Sequence, residues 1–302
     1  MKYFLIFTLL FLTNCKTDSE AKSNEDASSD PDLSVKDGSN QKDLSKKDQS
    51  SKTDMKIGKD GGEKDLPSTD GGNQDCGKVD VVQFSTTDGV KLTADYHPPA
   101  ATAKGAVILF HMIPPSNNRK GYPLRVREAF SKAGYAVLNV DRRGAGESEG
   151  TAKDAYSGPK GRFDVEAAVK FVLSTDRKCA SNPQKIMLVG ASNGTTSVMD
   201  YTTGRDDKSL PDPKAVAWLS PGSYTEGQNK IADHKAQLQA LSLLIVHPSG
   251  EPYANAFKNF SENWKIITLD KGRHGTNNFD GGKLEDLILP ALINWADKTI
   301  GD

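Results

Sequence analysis

The sequence predicts an α/β domain built on an eight-stranded, mostly parallel sheet with helices on both faces. Two observations predict this class. Between residues 106 and 298, six short apolar runs typical of buried parallel strands alternate with amphipathic helical patterns. Ahead of them, two runs joined by Thr87-Asp88-Gly89 are typical of an antiparallel hairpin. The domain is expected to span 76–302.

The predicted elements follow in chain order. Hairpin strands are expected at 79–85 and 92–97, and parallel strands at 106–110, 136–140, 186–189, 216–219, 243–246 and 266–269. Helices are expected at 124–133, 165–173, 195–201, 254–264 and 284–298. Ligands in such sheets bind at the carboxyl ends of the parallel strands, so functional residues are expected there.

The first fifteen residues predict export. After Lys2, the apolar run from Tyr3 to Leu12 is too short to span a bilayer and fits the core of a signal peptide. Leu12-Thr13-Asn14-Cys15 resembles the lipobox of bacterial lipoproteins. That resemblance implies that Cys15 carries fatty acyl chains such as palmitate and anchors the protein to a bacterial membrane, at the outer membrane or cell surface. The alternative is an ordinary secretory signal.

Residues 16–75 predict a disordered charged linker. They contain only eight residues of the hydrophobic set and fifteen Asp and Glu against ten Lys, too little apolar surface to offset the chain entropy of folding. A partner-binding tail is the alternative. The whole chain has a formal net charge of −1. Neither the linker nor the domain has the basic excess of a nucleic-acid binder, so no nucleic-acid partner is expected.

The remaining cysteines, Cys76 and Cys179, are expected to pair, because an exported protein meets an oxidising environment. Neither cysteine has the spacing of a metal site. The sequence also contains no P-loop and no dinucleotide fingerprint. No metal and no cofactor are therefore expected.

A Gly-x-Ser-x-Gly pattern at 190–194 follows the strand predicted at 186–189 and precedes a helix of small residues. Strand, sharp turn and helix form the context of a nucleophile elbow, which predicts Ser192 as nucleophile. Glycines two residues before and after make steric sense on a strained turn. The alternative is a strand-to-helix turn whose serine caps the helix.

A serine needs a base, and the base needs an acid. Of five histidines, only His274 lies on a glycine-flanked loop after the last strand, so it is the predicted base. Glu251 is the one carboxylate just after the seventh strand, and the order Ser192, Glu251, His274 matches Ser…Asp/Glu…His. Glu226, after the sixth strand, is the alternative acid.

An oxyanion hole needs two N–H donors. Asn193, directly after the nucleophile, should supply one through its backbone. The second should come from the loop after the third strand, where Pro114 and Pro115 have no N–H to donate. This leaves Ile113 or Met112, and the position of Ile113, two residues after His111, favours Ile113.

Residues 79–302 resemble the α/β-hydrolase superfamily, and in particular its small capless members of the dienelactone-hydrolase and serine-esterase type. The motifs that carry the resemblance are the elbow at 190–194, the loop at 111–115, the Asp-x-Arg-Gly-x-Gly-x-Ser turn at 141–148, Gly-Glu-Pro at 250–252 and Gly-Arg-His-Gly at 272–275.

The resemblance implies acyl transfer to water by a serine hydrolase, most simply a carboxylic-ester hydrolase for small to medium acyl substrates. Only about twenty residues lie between the sixth and seventh strands, too few for a cap domain. Four loop tyrosines are candidates for lining the pocket: Tyr122, Tyr156, Tyr224 and Tyr253. A serine peptidase or amidase with the same triad, and a non-catalytic surface-anchored binding module, are the alternatives.

Overall fold

The computed structural model describes residues 76–174, 185–222, 230–251 and 261–301. All of them belong to one compact unit. The predicted signal segment with Cys15, the predicted linker and Cys179 lie outside the described residues. Cys76 is disulfide-bonded, and its pairing with Cys179 stays a prediction.

Eight strands form one sheet. In chain order they are β1 (Asp80–Ser85), β2 (Lys91–His97), β3 (Ala106–Phe110), β4 (Ala136–Val140), β5 (Ile186–Ala191), β6 (Ala215–Leu219), β7 (Leu243–Pro248) and β8 (Trp264–Leu269). Their order across the sheet is β1-β2-β4-β3-β5-β6-β7-β8. Strand β2 runs antiparallel to β1 and to β4, and every other neighbouring pair is parallel. The prediction of a mostly parallel, eight-stranded sheet is confirmed.

Apolar side chains cover both faces of the central strands. Every residue of β3 and β4 is buried. Because successive side chains of a strand point to opposite faces, Ile108 and Phe110 enter one core layer, whereas Val107 and Leu109 enter the other. A run such as Ala-Val-Ile-Leu-Phe therefore requires helices above and below the sheet.

The described helices supply those two layers. They are α1 (Leu124–Lys132), α2 (Ala152–Tyr156), α3 (Gly161–Leu173), α4 (Asn193–Gly204), α5 (Lys235–Gln239) and α6 (Lys283–Ile300). Val165 of α3 and Val198 of α4 pack in the layer of Ile108, while Val126 of α1 and Leu292 of α6 pack in the opposite layer. Within the described ranges, no helix combines the length and the hydropathy that crossing a bilayer requires.

The helix predicted at 254–264 is wrong over its last four residues, because Ser261–Asn263 are not helical. Trp264 begins β8, and residues 254–260 lie outside the described residues. The Trp264 indole N–H donates to the Leu238 carbonyl at 3.0 Å, and its ring stands edge-on to Trp218, with the centroids 6.2 Å apart. These two contacts fix Trp264 in the core as the first residue of the edge strand.

The turn after β4 closes on the buried carboxylate of Asp141. That carboxylate accepts the backbone N–H groups of Arg119 at 2.7 Å and Glu147 at 2.9 Å. Gly146 has a φ of 57°, and a Cβ there would overlap the Asp141 carboxylate. Ser148 Oγ donates to the Asp141 carbonyl at 2.6 Å. Gly146 therefore leaves room for the buried acid, and Ser148 satisfies the backbone carbonyl of the same residue.

Two buried histidines lie where strands end: His97 is the last residue of β2, and His111 directly follows β3. Burial and the nearby Arg127 lower the pKa of His97 from 6.5 to about 4, although Asp95 and Glu128 act in the opposite direction. Burial and Arg142 lower the pKa of His111 from 6.5 to about 3. Both side chains are therefore neutral in the fold, and an unfolded chain takes up protons at both as the pH falls below about 6.5.

Stability contributed by these neutral histidines is present above their ordinary pKa and is lost as the pH falls toward their folded pKa values. We expect the free energy of unfolding to fall by ~1.4 kcal/mol per pH unit for each histidine between about pH 6 and pH 4.5. Urea titrations at several pH values measure this slope. In His97→Gln the slope should be shallower by the contribution of one histidine. A slope identical to that of the parent would contradict a lowered pKa of His97 in the folded protein.

Candidate active site

Strand β5 delivers Ser192 onto a strained turn. Ser192 has φ 51° and ψ −124°, a region that costs a non-glycine residue of order 1–3 kcal/mol. Its N–H donates to the Leu219 carbonyl at 2.8 Å, and its carbonyl accepts the Thr195 N–H at 3.0 Å and the Thr195 hydroxyl at 2.6 Å. Hydrogen bonds on both sides of the residue hold the turn, which is the elbow predicted from the sequence.

The two elbow glycines are required by close backbone packing. A Cβ on Gly190 would lie 2.7 Å from the Gly194 carbonyl oxygen, and a Cβ on Gly194 would lie 2.5 Å from the His111 carbonyl oxygen. The second contact brings the loop after β3 directly against the elbow. Any larger residue at either position would push the strand, the helix and this loop apart.

Three predicted residues from three different loops form one hydrogen-bonded line. His274 Nε2 lies 2.7 Å from Ser192 Oγ, and His274 Nδ1 lies 2.6 Å from Glu251 Oε1. A carboxylate is an acceptor, so Nδ1 carries the proton and Nε2 is left to accept the serine hydroxyl proton. Ser192 is nearly buried, while the His274 side chain is 41% exposed, so the line reaches from the core to the surface.

The loop that carries His274 is braced by two residues that sequence reasoning missed. The Gly275 N–H donates to Ser220 Oγ at 2.9 Å, and Ser220 is itself buried with a φ of 56° at the end of β6. Asn278 accepts the Arg273 N–H through Oδ1 at 2.7 Å and donates to the Gly275 carbonyl at 3.0 Å. The position of Ser220 at the carboxyl end of a parallel strand was the only available signal.

The loop after β3 carries the predicted oxyanion donors. Among the described residues, neither the Met112 N–H nor the Ile113 N–H has a hydrogen-bond acceptor. His111 is fully buried; its Nε2 accepts the Arg142 N–H at 3.0 Å and its Nδ1 donates to the Met112 carbonyl at 2.7 Å. Asn193 is the first residue of α4, directly after Ser192. All three predicted donors thus lie on two segments that are in contact.

Of the predicted pocket tyrosines and the alternative acid, the structure describes only Tyr122 and Tyr156. Tyr122 is fully buried, and its hydroxyl donates to the Phe110 carbonyl at 3.3 Å, so it packs in the core instead of lining a pocket. Tyr156 is the last residue of α2. Glu226, Tyr224 and Tyr253 lie outside the described residues. Within the described ranges, no cluster of three His, Cys, Asp or Glu side chains could hold a metal ion.

Solved structures of the same fold cover most of this chain. An esterase from Pyrococcus furiosus, Pf2001, superposes with a TM-score of 0.57 at 14% identity, over 74% of this chain and 92% of its own. A dienelactone hydrolase from Anabaena variabilis gives 0.55 at 14% identity, over 74% and 98%. Est1E from Butyrivibrio proteoclasticus, solved with ferulic acid bound, gives 0.56 at 20% identity, over 73% and 100%.

No protein-family model matches the sequence, and no curated protein matches it. At 14–20% identity the solved structures are informative about the fold alone. Their names include an esterase and a dienelactone hydrolase, and the superposition covers the described sheet and helices as one fold. The chain has the α/β-hydrolase fold.

Proposed function

We propose that this protein is a serine hydrolase that acts on carboxylic esters, with Ser192 as nucleophile, His274 as general base and Glu251 as the acid partner of the histidine. The observation that carries the proposal is the hydrogen-bonded line of 2.7 Å and 2.6 Å through His274. A serine hydroxyl is a weak nucleophile unless a base removes its proton, and the unprotonated Nε2 of His274 faces that proton.

The proposed reaction has two halves. In the first, His274 takes the Ser192 proton while Oγ bonds to the ester carbonyl carbon, and the carbonyl electrons move onto oxygen. The tetrahedral oxyanion collapses, the bond to the alcohol breaks, and the alcohol leaves with the proton from His274. In the second, His274 deprotonates water, which attacks the acyl-enzyme carbonyl carbon. The second oxyanion collapses, the bond from that carbon to Ser192 Oγ breaks, and Oγ takes back the proton from His274 as the acid leaves. Glu251 stabilises the imidazolium that forms in both halves.

The oxyanion in both halves is assigned to backbone donors. We infer that the Asn193 N–H and the Ile113 N–H bind it, with Met112 as the alternative second donor. Backbone N–H groups that are already fixed by the fold need no rearrangement when charge develops. They therefore stabilise the oxyanion more than water molecules would. The absence of any other acceptor for the two loop N–H groups among the described residues supports this assignment.

We expect small to medium acyl esters as substrates. The segment between β6 and β7 is short, and its described part contains a 3-10 turn at Ile231–His234 and α5, so the site should be open. The similar solved structures include esterases, one of them with ferulic acid bound. An open site suits a compact acyl group or one presented on a larger molecule, and no nucleic-acid partner is proposed.

A fluorophosphonate probe tests the nucleophile. We expect a single adduct by intact mass on the parent and on Ser209→Ala, a control serine that is exposed and remote from the elbow, and none on Ser192→Ala. A folded parent that takes up no probe would contradict the hydrolase proposal and favour a non-catalytic binding module. Turnover of p-nitrophenyl esters, compared with matched anilides, then distinguishes an esterase from an amidase.

Glu251→Gln tests the acid. The amide keeps the size of the side chain but cannot stabilise an imidazolium by charge, so kcat on p-nitrophenyl acetate should fall by about 10³–10⁴-fold with KM little changed. Glu262→Gln, an exposed glutamate before β8, is the control and should retain activity. A loss under tenfold in Glu251→Gln would instead direct the search to Glu226.

We also propose that the protein is exported and anchored to a bacterial membrane through lipidated Cys15, and that Cys76 pairs with Cys179. Two or more acyl chains are needed for stable anchoring. In bacteria fed an alkyne-tagged palmitate, Cys15→Ser should lose the label and leave the membrane fraction, whereas Cys76→Ser should keep both. Membrane attachment and labelling that survive Cys15→Ser would contradict the anchor.

A further inference from the structure

A single buried guanidinium joins the two segments that carry the oxyanion donors. Arg142 follows β4 and is fully buried. Its Nη1 lies 3.3 Å from the Met112 carbonyl oxygen and 3.4 Å from the His111 carbonyl oxygen. Its Nη2 lies 2.9 Å from Asn193 Oδ1. One side chain therefore contacts the loop after β3 and the residue that follows the nucleophile.

Arg142 meets only neutral oxygens. Besides those contacts, Nη2 donates to the Ala155 carbonyl at 2.5 Å and to Ser197 Oγ at 2.8 Å, and no carboxylate in the described ranges lies within ion-pair distance of it. Burial lowers the pKa of Arg142 to about 10, so it is still charged at neutral pH. The carboxylates of Asp164 and Asp200 act on it from beyond ion-pair distance and only partly offset the effect of burial. A buried cation without a directly paired anion is costly to the fold, which calls for a reason beyond packing.

The contacts of Arg142 fix the direction of the oxyanion-hole peptide. In a trans peptide the C=O and the following N–H point in opposite directions. The Met112 carbonyl is held by Arg142 and by His111 Nδ1 at 2.7 Å, so the Ile113 N–H is directed away from the guanidinium. His111 must be the Nδ1–H tautomer, because its Nε2 accepts the backbone N–H of Arg142 itself at 3.0 Å.

We propose that Arg142 is a positioning residue that holds both halves of the oxyanion hole from their buried side, through the Met112 carbonyl on one segment and the Asn193 side chain on the other. This inference rests on the proposed hydrolase function. Arg142 does not touch the substrate; it sets the distance between two N–H donors, and its charge stabilises the oxyanion through them. Arg142 therefore stabilises the tetrahedral intermediate more than the bound ester, because only the intermediate carries the negative charge of the oxyanion.

The test separates transition-state stabilisation from packing. In Arg142→Met, which keeps most of the side-chain volume, kcat on p-nitrophenyl acetate should fall about 10²-fold with KM little changed. The inhibition constant of a trifluoromethyl ketone, which forms a tetrahedral adduct on the serine, should rise by a similar factor, while a methyl ketone of the same shape should bind unchanged. Arg205→Met is the control: Arg205 lies at the end of α4 and binds the Leu210 carbonyl and Asp212, so both inhibitors and kcat should be unaffected.

A double-mutant cycle tests the route of the effect. Asn193→Ala removes the side-chain contact with Arg142 but keeps the backbone donor, and should lower kcat by about tenfold. In the Arg142→Met background the same substitution should add almost nothing, because the contact is already gone. Thermal unfolding of each variant shows whether it folds. If Arg142→Met does not fold, the loss of kcat in Asn193→Ala still tests the contact between Arg142 and Asn193.

Three results would overturn the inference. If the parent hydrolyses esters and a folded Arg142→Met matches it in kcat and in affinity for the trifluoromethyl ketone, Arg142 is a packing residue and the proposed hydrolase function stands. Equal losses of affinity for both ketones would also mean general disorder of the site and overturn the positioning role. A parent without ester hydrolysis or probe labelling would remove the proposed function and this inference together.

Discussion

The left-handed backbone of Ser192 is the constraint on which the rest of the site depends. A serine at φ 51° stays there only where its surroundings leave no alternative. Here β5 is buried between β3 and β6, Gly190 packs against the start of α4, and Gly194 packs against the loop after β3. The central strand and its following helix therefore impose the turn, and the turn lifts the hydroxyl above the edge of the sheet.

Parallel topology brings the other groups to that edge. The loops after β3, β6, β7 and β8 all leave the carboxyl ends of neighbouring strands, and these loops supply the His111 segment, Ser220, Glu251 and His274. Two of these loops also bind each other: the Ser220 hydroxyl oxygen accepts the Gly275 N–H and so connects the end of β6 to the loop that carries His274. Proximity of the three predicted triad residues is a consequence of strand order and not of their separation in sequence, which is 82 positions for Ser192 and His274.

Features encoded locally could be predicted from the sequence, and features encoded by tertiary contacts could not. Strands β3 and β4 have the predicted bounds, because a buried parallel strand is a short apolar run ended by polar residues. Helix α4 begins two residues before its predicted start, at Asn193-Gly194, since core packing overrides the poor helix propensity of that pair. Residues 190–194 and 274 carried recognisable patterns, whereas nothing local connects Arg142 with Asn193, 51 positions away.

The two adjacent arginines after β4 differ in the groups that they bind. Arg143 is buried and neutralised: its Nε lies 2.7 Å from Asp164, and its Nη1 lies 2.8 Å from Asp88. Arg142, the adjacent residue, is equally buried and meets carbonyl, amide and hydroxyl oxygens instead. A fold selected for stability alone gains more from apolar side chains than from a buried, unpaired charge. Under the proposed function, Arg142 lies behind the segments where negative charge develops during ester hydrolysis, so its cost to the fold has a use there.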